Sequence, residues 1–480
     1  MRRRFTIAFL LLAALIVAWP FHSSFAQPKI LPELYENYLA ISAKLVCSGV
    51  FISGRDPAEV LKNDLSVGVP PGFPSPDKIR IDVDRSRKSV TLSADGTPSR
   101  KAVYNGDQGC ALLPREGGDI FFNPVTLPRN EQLAKEKWPI GDVIDGRIPP
   151  EVDEAAIKAA LAFAFDESLQ VKKQKTRSLL VVYRGQIIGE RYAPGFHRDM
   201  PLMSWSMMKG ITAALVGTMV RDGVLKVDDP APIKEWQSPN DPRRQITIRH
   251  LMNMSSGLKF MSGLDDPRIT LSAKDQHSYV YFDAPNVYEY AIRNELESTP
   301  GTAWKYRNCD PLAIGKILRD KVEARGEEFL SFPARVLFDR IGMRHTIPET
   351  DRWGNFILSG NDYVTARDWA RFALLHMQDG VWQGERILPE GWIQFITQPA
   401  PANKAMEYGA FFWLNAGKKY KSLPEDMYWP AGHFGQVAMI IPSKQLIVVR
   451  QGWSQIGGFD EYFEQVMQRI LAAVKPPLPK

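Results

Sequence analysis

The sequence predicts an α+β fold: an antiparallel sheet flanked by helices, interrupted by a helical insert and preceded by a small α+β N-terminal unit. Two hairpin patterns point to the sheet, "SLLVVYRGQIIGERY" and, far downstream, "GQVAMIIPSKQLIVVRQGW". Strand-like runs of this kind must meet in one sheet if their apolar faces are to be covered. The third observation is the last helix, which sets Phe459, Tyr462, Phe463, Val466, Met467, Ile470, Leu471 and Val474 on one face. A stripe of that width needs a sheet beneath it. Between the hairpins, residues 207 to about 420 read mostly as helices and loops.

In chain order, residues 1–26 start with Arg2, Arg3 and Arg4, run apolar from Phe5 to Trp19 and reach Ser24-Phe25-Ala26. This pattern predicts a secretory signal cut after Ala26. Its apolar run is shorter than the about 20 residues that span a bilayer. Membrane contact is therefore expected only through that segment if it stays uncleaved, and the mature protein is expected to be periplasmic or secreted. Loss of the three arginines takes the formal charge from +6 to +3, too mild a balance for a nucleic-acid partner. A chain of 480 residues with 44% hydrophobic content excludes disorder as its main theme.

Residues 27–135 read as a small separate α+β unit. "LPELYENYLAISAKLV" has helical spacing, "IRIDVD" and "SVTLS" alternate like half-buried strands, and Ala94-Asp95-Gly96 turns the chain towards "RKAVY". Cys47 and Cys110 both fall in this unit, and outside the cytosol a bridge between them is expected. A loop of that length would contribute roughly 4 kcal/mol in the chain-entropy model. Cys309 then stands alone and reads as a small buried hydrophobe. No histidines and cysteines have metal-ligand spacing. Residues 136–174 form a Pro- and Gly-rich connector and a helix over Ala155 to Phe165, and 175–480 form the main domain.

Within that domain, "MMKGITAALVGTMV" carries one charge, Lys209, on a helix apolar on nearly every side. Such a helix is buried. Burial favours the neutral amine, which makes Lys209 a potential proton acceptor near neutral pH. Ser206 precedes it by three residues and shares its helix face. A serine at a helix start also gains N–H groups and the positive end of the macrodipole, which suit a nucleophile. The plainer alternatives are that Ser204 or Ser206 is an N-cap and that Lys209 snorkels to solvent. S-x-x-K also occurs at Ser75-Lys78 and Ser256-Lys259. Ser75 sits between prolines and Ser256 precedes Gly257, so neither opens a long apolar helix.

Two later motifs complete the set. "PGTAWKYRNCDP" offers Tyr306 as a proton shuttle to a leaving group, with Asn308 able to bond the lysine or a substrate carbonyl. Tyr306 can equally be a wall residue, and Y-x-N recurs at Tyr35. In "AGHFGQVAMII", His433-Phe434-Gly435 is expected to begin a sheet strand, with Gly435 admitting substrate close to the backbone. The N–H groups of Gln436 and Ser206 would then form an oxyanion hole.

S-x-x-K, Y-x-N and H-x-G in this order resemble the serine β-lactamase and penicillin-binding-protein family. The branch most similar is that of β-lactamase-related esterases, D-aminopeptidase-like enzymes and 6-aminohexanoate-dimer hydrolases. "IRHLMNMSSGL" and "GNDYVTARDWARFALLHMQDGVWQGERILPEGW" support it, and the likeness covers about residues 175 to 475. It implies an acylated nucleophile at Ser206, with Lys209 and Tyr306 sharing its proton. It also implies that His433 replaces the usual lysine of K-T-G, while Phe434 removes the hydroxyl. A site built to hold the carboxylate of a β-lactam or D-Ala-D-Ala is thereby altered. The expectation is an exported serine hydrolase acting on a small amide, ester or peptide, with no metal or organic cofactor and weak β-lactamase activity. The alternatives are a β-lactamase or D-Ala-D-Ala carboxypeptidase, and a non-catalytic binder of cell-wall peptides. An α/β-hydrolase is disfavoured because G-x-S-x-G is absent.

Overall fold

The computed structural model describes residues 32–65, 76–128, 131–170, 172–266, 269, 275–283, 285–455 and 457–474. The expected signal segment, Ser75 and part of the loop before residue 285 lie outside these residues. Helix α1 (Pro32–Phe51) opens with proline and Glu33 in its first turn, both suited to a helix N-terminus. Its last turns are buried on all sides, because it lies against an antiparallel sheet β1 (Arg80–Asp84), β2 (Ser89–Ala94), β3 (Thr97–Tyr104) and β4 (Cys110–Leu112). A disulfide joins Cys47 of α1 to Cys110 of β4, as expected. This N-terminal unit has its own sheet, but its apolar residues are continuous with the core of the main domain.

Helix α2 (Pro57–Asp64) is N-capped by Asp56, whose carboxylate accepts from the Ala58 and Glu59 N–H groups. It delivers the buried Asp64 to a second joint, where Asp64 pairs with Arg55 and with Arg177 of the main sheet. A carboxylate buried between two guanidiniums is held ionised. The pull of Arg177 and Arg55 wins over desolvation and keeps Asp64 below the ordinary carboxylate range.

Helix α3 (Glu154–Phe165), capped by Asp153, leads into β5 (Thr176–Tyr183) and β6 (Gln186–Tyr192), which turn at Arg184-Gly185. The main sheet is antiparallel. Its order is Trp413–Leu414, Tyr428–Trp429, Gln436–Ile441, Leu446–Gly452, β5, β6. Both ends of the domain thus share one sheet, as the hairpin patterns required. The C-terminal helix Phe459–Ala472 buries Tyr462, Phe463, Val466, Met467 and Ile470 on one face of it, beside α3. The helix Ala366–Met377 covers the other face, which is why β5 and both strands of the second hairpin are buried throughout. The insert is less purely helical than expected. It includes a small sheet of β7 (Leu202–Met203), β8 (Thr346–Pro348) and β9 (Asp362–Val364), in the order β7–β9–β8.

The disulfide closes a separation of 63 residues. Replacing Cys47 and Cys110 together by alanine is expected to cost about 4 kcal/mol. Thermal unfolding should show a lowered midpoint, and a midpoint equal to the wild type would mean that packing alone holds α1 to β4.

Candidate active site

The small sheet fixes where the nucleophile candidate stands. Beyond β7, the Ser204 N–H donates to the Asp362 carbonyl of β9 at 3.0 Å. The chain then folds sharply. Trp205 takes a left-handed φ of 53°, a tight turn runs from Trp205 to Met207, and helix α4 (Met208–Arg221) follows. A non-glycine residue in that conformation stores strain, and it turns the half-buried Ser206 out at the mouth of the helix. Ser204 makes no capping bond; its hydroxyl accepts from Trp369 Nε1 at 2.8 Å and donates to the Leu202 carbonyl. Gly432 approaches the turn so closely that a Cβ there would lie 2.0 Å from the Ser204 carbonyl oxygen.

Lys209 does not snorkel. Only 1% of it is exposed, and its Nζ lies 3.0 Å from Ser206 Oγ and 2.9 Å from Asn308 Oδ1, with the Ser359 carbonyl as a third partner. Burial pulls its pKa well below the ordinary lysine value, and the Asp362 side chain opposes that only in part. The partners decide what a neutral amine does. The Ser359 oxygen is a carbonyl and can only accept. Asn308 Nδ2 is committed to the His277 carbonyl at 2.7 Å, so its Oδ1 faces the lysine and can also only accept. Two N–H bonds of the amine are thus taken, and the remaining lone pair points at the Ser206 hydroxyl. Asn308, expected to serve either the lysine or a substrate carbonyl, is spent on the lysine.

The Tyr306 ring packs 4.8 Å from Lys209 Nζ. Trp413 stacks on it at 5.7 Å and Tyr408 meets it edge-on at 5.9 Å. Burial raises the Tyr306 pKa, and a hydrogen bond with Ser206 offsets part of the rise. Serine, lysine and phenol therefore stand together, each within reach of the next.

The third motif departs from expectation. His433–Gly435 is a short turn with Phe434 at φ 60°, and the strand starts only at Gln436. The turn is pinned from behind by the buried Arg450, which donates to the Phe434 and Gly435 carbonyls at 3.1 and 2.7 Å. Gly435 is required there by its φ of 81° and because a Cβ would lie 2.5 Å from the Phe459 ring and 2.6 Å from Arg450 Nη1. The Gln436 side chain ties the turn to the next strand, donating to the His433 carbonyl and accepting from the Gly452 N–H at 2.9 Å. The His433 ring is reached by solvent and lies 5.9 Å from the Trp205 ring. The surrounding protein lowers its pKa, so at neutral pH it is an uncharged imidazole.

Sequence reasoning missed the Ser359 carbonyl, His277 and Asp362. A main-chain oxygen leaves no mark on residue type. His277, whose ring is 5.9 Å from that of Tyr306, stands on the short helix Gln276–Phe282, in a stretch whose path the sequence does not dictate. Asp362 sits in the quoted stretch "GNDYVTARD" beside Asn361 and near Arg367 and Asp368, so no local contrast marks it. Among the described residues no cluster of three or more histidines, cysteines or carboxylates could hold a metal ion.

With this geometry in place, likeness to known proteins can be read. A family model described as Beta-lactamase matches residues 165–452. An uncharacterised protein of Alkalihalophilus pseudofirmus is 20% identical over 337 residues, which cover 62% of this chain and 91% of that protein. A 6-aminohexanoate-dimer hydrolase of Paenarthrobacter ureafaciens is 21% identical over 236 residues, 48% of this chain and 59% of that enzyme. Among solved structures, a D-amino acid amidase from Ochrobactrum anthropi SV3 aligns with a TM-score of 0.50 at 16% identity, covering 66% of this chain and 99% of the amidase. The family match spans more than half of the chain and contains Ser206, Lys209, Tyr306 and His433. This protein belongs to the Beta-lactamase family of serine hydrolases.

Proposed function

We propose that the protein is an exported serine hydrolase that cleaves amide or ester bonds of small substrates through an acyl-enzyme on Ser206. The observation that carries this reading is the amine of Lys209, buried, with two carbonyl acceptors and its remaining valence on Ser206 Oγ. In the reaction, Ser206 Oγ attacks the substrate carbonyl while its proton passes to Lys209. Tyr306, whose pKa the neighbouring Ser206 hydroxyl lowers, relays that proton to the leaving amine or alcohol. The Ser206 and Gln436 N–H groups take the developing oxyanion. Water then attacks the acyl carbonyl, gives its proton back along the same path, and frees Ser206.

The substrate class rests on two supports. The relatives named above include a 6-aminohexanoate-dimer hydrolase and a D-amino acid amidase, both cleaving amides. A neutral His433 with Phe434 beside it also lacks the fixed cation and hydroxyl that would hold a carboxylate. Export rests on the N-terminal sequence and on the Cys47–Cys110 bridge, which suits an oxidising compartment. No helix of the described residues is long and apolar enough to cross a membrane.

A fluorophosphonate should label the wild type and spare Ser206→Ala, with the adduct on Ser206 by mass spectrometry; no label on the wild type would favour the non-catalytic binder. Tyr306→Phe should lower kcat by about 10²–10⁴-fold, measured on a short acyl ester. Short esters and amides should be hydrolysed faster than cephalosporins, and the reverse order would restore the β-lactamase reading. The rate should rise with pH as Lys209 loses its proton, and this limb should lie well below the ordinary lysine range because burial lowers that pKa. Asn308→Leu removes an acceptor that favours the ammonium form, so it should move the limb to lower pH still. It should also cost about 1–3 kcal/mol of stability for the partners left unpaired, read by thermal unfolding.

A further inference from the structure

Asp362 is fully buried in β9, beside the site but outside the reaction described above. Neither of its carboxyl oxygens has a hydrogen-bond partner, and neither is reached by solvent. Across β7–β9 its carbonyl accepts from Ser204, two residues before the nucleophile. Across β8–β9 it faces Pro348, and the next residue, Glu349, donates its N–H to the Asn361 carbonyl at 2.9 Å. Two carboxyl groups therefore sit on neighbouring strands in a dry interior.

Their surroundings are unequal. The Glu349 carboxylate accepts from Ser48 Oγ at 2.6 Å and from the Cys110 N–H at 2.8 Å, and Lys44 Nζ lies 3.1 Å away. All three come from the N-terminal unit. A Cβ on Gly109 would lie 2.6 Å from Glu349 Cγ, so the chain before β4 closes directly over this side chain. Asp362 has no donor from any other residue. When like groups compete for one negative charge, the group with donors and a counter-ion keeps it, and the bare one stays protonated. Desolvation, with Glu349 adding to it, pushes Asp362 well above the carboxylate range, against its own backbone N–H and the nearby Lys209.

We propose, on the reading of Ser206 and Lys209 given above, that Lys209 and Asp362 hold one proton between them, and that Glu349, gripped by the N-terminal unit, keeps it on Asp362. The competing form has the same net charge, an ammonium on Lys209 and a carboxylate on Asp362. It differs by one proton moved from Asp362 to Nζ, and it leaves Ser206 without a base. No hydrogen bond joins the two groups, so their balance is electrostatic, a coupled titration rather than a bonded pair. The other titratable groups around the pair are Tyr281 and His277 of the helix Gln276–Phe282, Tyr306, Tyr363 and His433. Burial holds these phenols and the His277 imidazole uncharged at neutral pH, and the solvent-reached His433 also has a lowered pKa. Arg307, the remaining cation nearby, is paired with Asp265. Glu349 and Asp362 are thus positioning residues that act through Lys209. The N-terminal unit, which lies ahead of the family match, gains a role in setting the base.

The test uses the full chain with carboxyl-13C aspartate. Isotope-edited infrared spectra should show a protonated, non-hydrogen-bonded carboxyl at neutral pH that is lost in Asp362→Asn. This readout needs no substrate, so it stands apart from whether the protein is a hydrolase. In Lys44→Met/Glu349→Gln, which removes the buried pair together, that band should weaken. The acidic limb of kcat/KM on an activated ester should rise by about one pH unit, a roughly tenfold loss near the limb, with KM little changed. Adding Asp362→Asn to that variant should bring the limb back down, which a merely structural role would not do. Should the double variant fail to fold, the infrared comparison of the wild type with Asp362→Asn and the limb of Asp362→Asn alone, expected unmoved or lower, take its place. Absence of the protonated carboxyl in the wild type overturns the proposal, as does an unmoved limb in the double variant or a limb that Asp362→Asn fails to bring back.

Discussion

The site depends on a single amine deprived of water. Lys209 is surrounded by apolar helix, two carbonyl oxygens and one hydroxyl, and this arrangement suits a neutral amine better than an ammonium ion. Every other feature of the site can be read as a means of holding that state. The strained turn at Trp205 places the hydroxyl where the lone pair points. Asn308 is oriented by the His277 carbonyl, so it cannot rotate a donor towards the lysine. The aromatic wall of Tyr306, Tyr408 and Trp413 keeps solvent from the face where Nζ meets the phenol.

The N-terminal unit is bound into this arrangement through polar joints as well as apolar packing. Lys44 pairs with Glu349, Arg100 with Asp283 at the end of the helix that carries His277, and Asp64 with Arg177 of the main sheet. Buried ion pairs are poor sources of net stability, but they are intolerant of misplacement, because a displaced partner leaves a bare charge behind. Their effect here is register. The Lys44–Glu349 pair holds the 346–364 segment, which supplies both the Ser359 carbonyl and Asp362, against the N-terminal unit.

Much of the architecture was legible from periodicity. The two hairpins, the one-sided last helix, α1 and the N-terminal strands announce themselves because a face must be buried, and the disulfide followed from two cysteines in one unit. Lys209 was legible for the same reason, as a lone charge in an apolar helix. What could not be read was set by long-range contact. The His433–Gly435 turn replaces a strand start because Arg450, from the neighbouring strand, draws its carbonyls round, and no local pattern shows that. The short strands of the small sheet carry two or three residues each, too few for any period to register. The pairing of Glu349 with the N-terminal unit joins residues more than two hundred positions apart, and nothing near either residue specifies it.

Two of the groups that hold the lysine and its asparagine in place, at residues 359 and 277, are carbonyls of the peptide chain itself. They persist whatever side chain occupies those positions, so drift in amino-acid identity there leaves the lysine's surroundings intact. Insertions and deletions are another matter, since a single added residue would carry the oxygen away. Tolerance to exchange alongside intolerance to change in length is the evolutionary signature this arrangement would leave in its descendants.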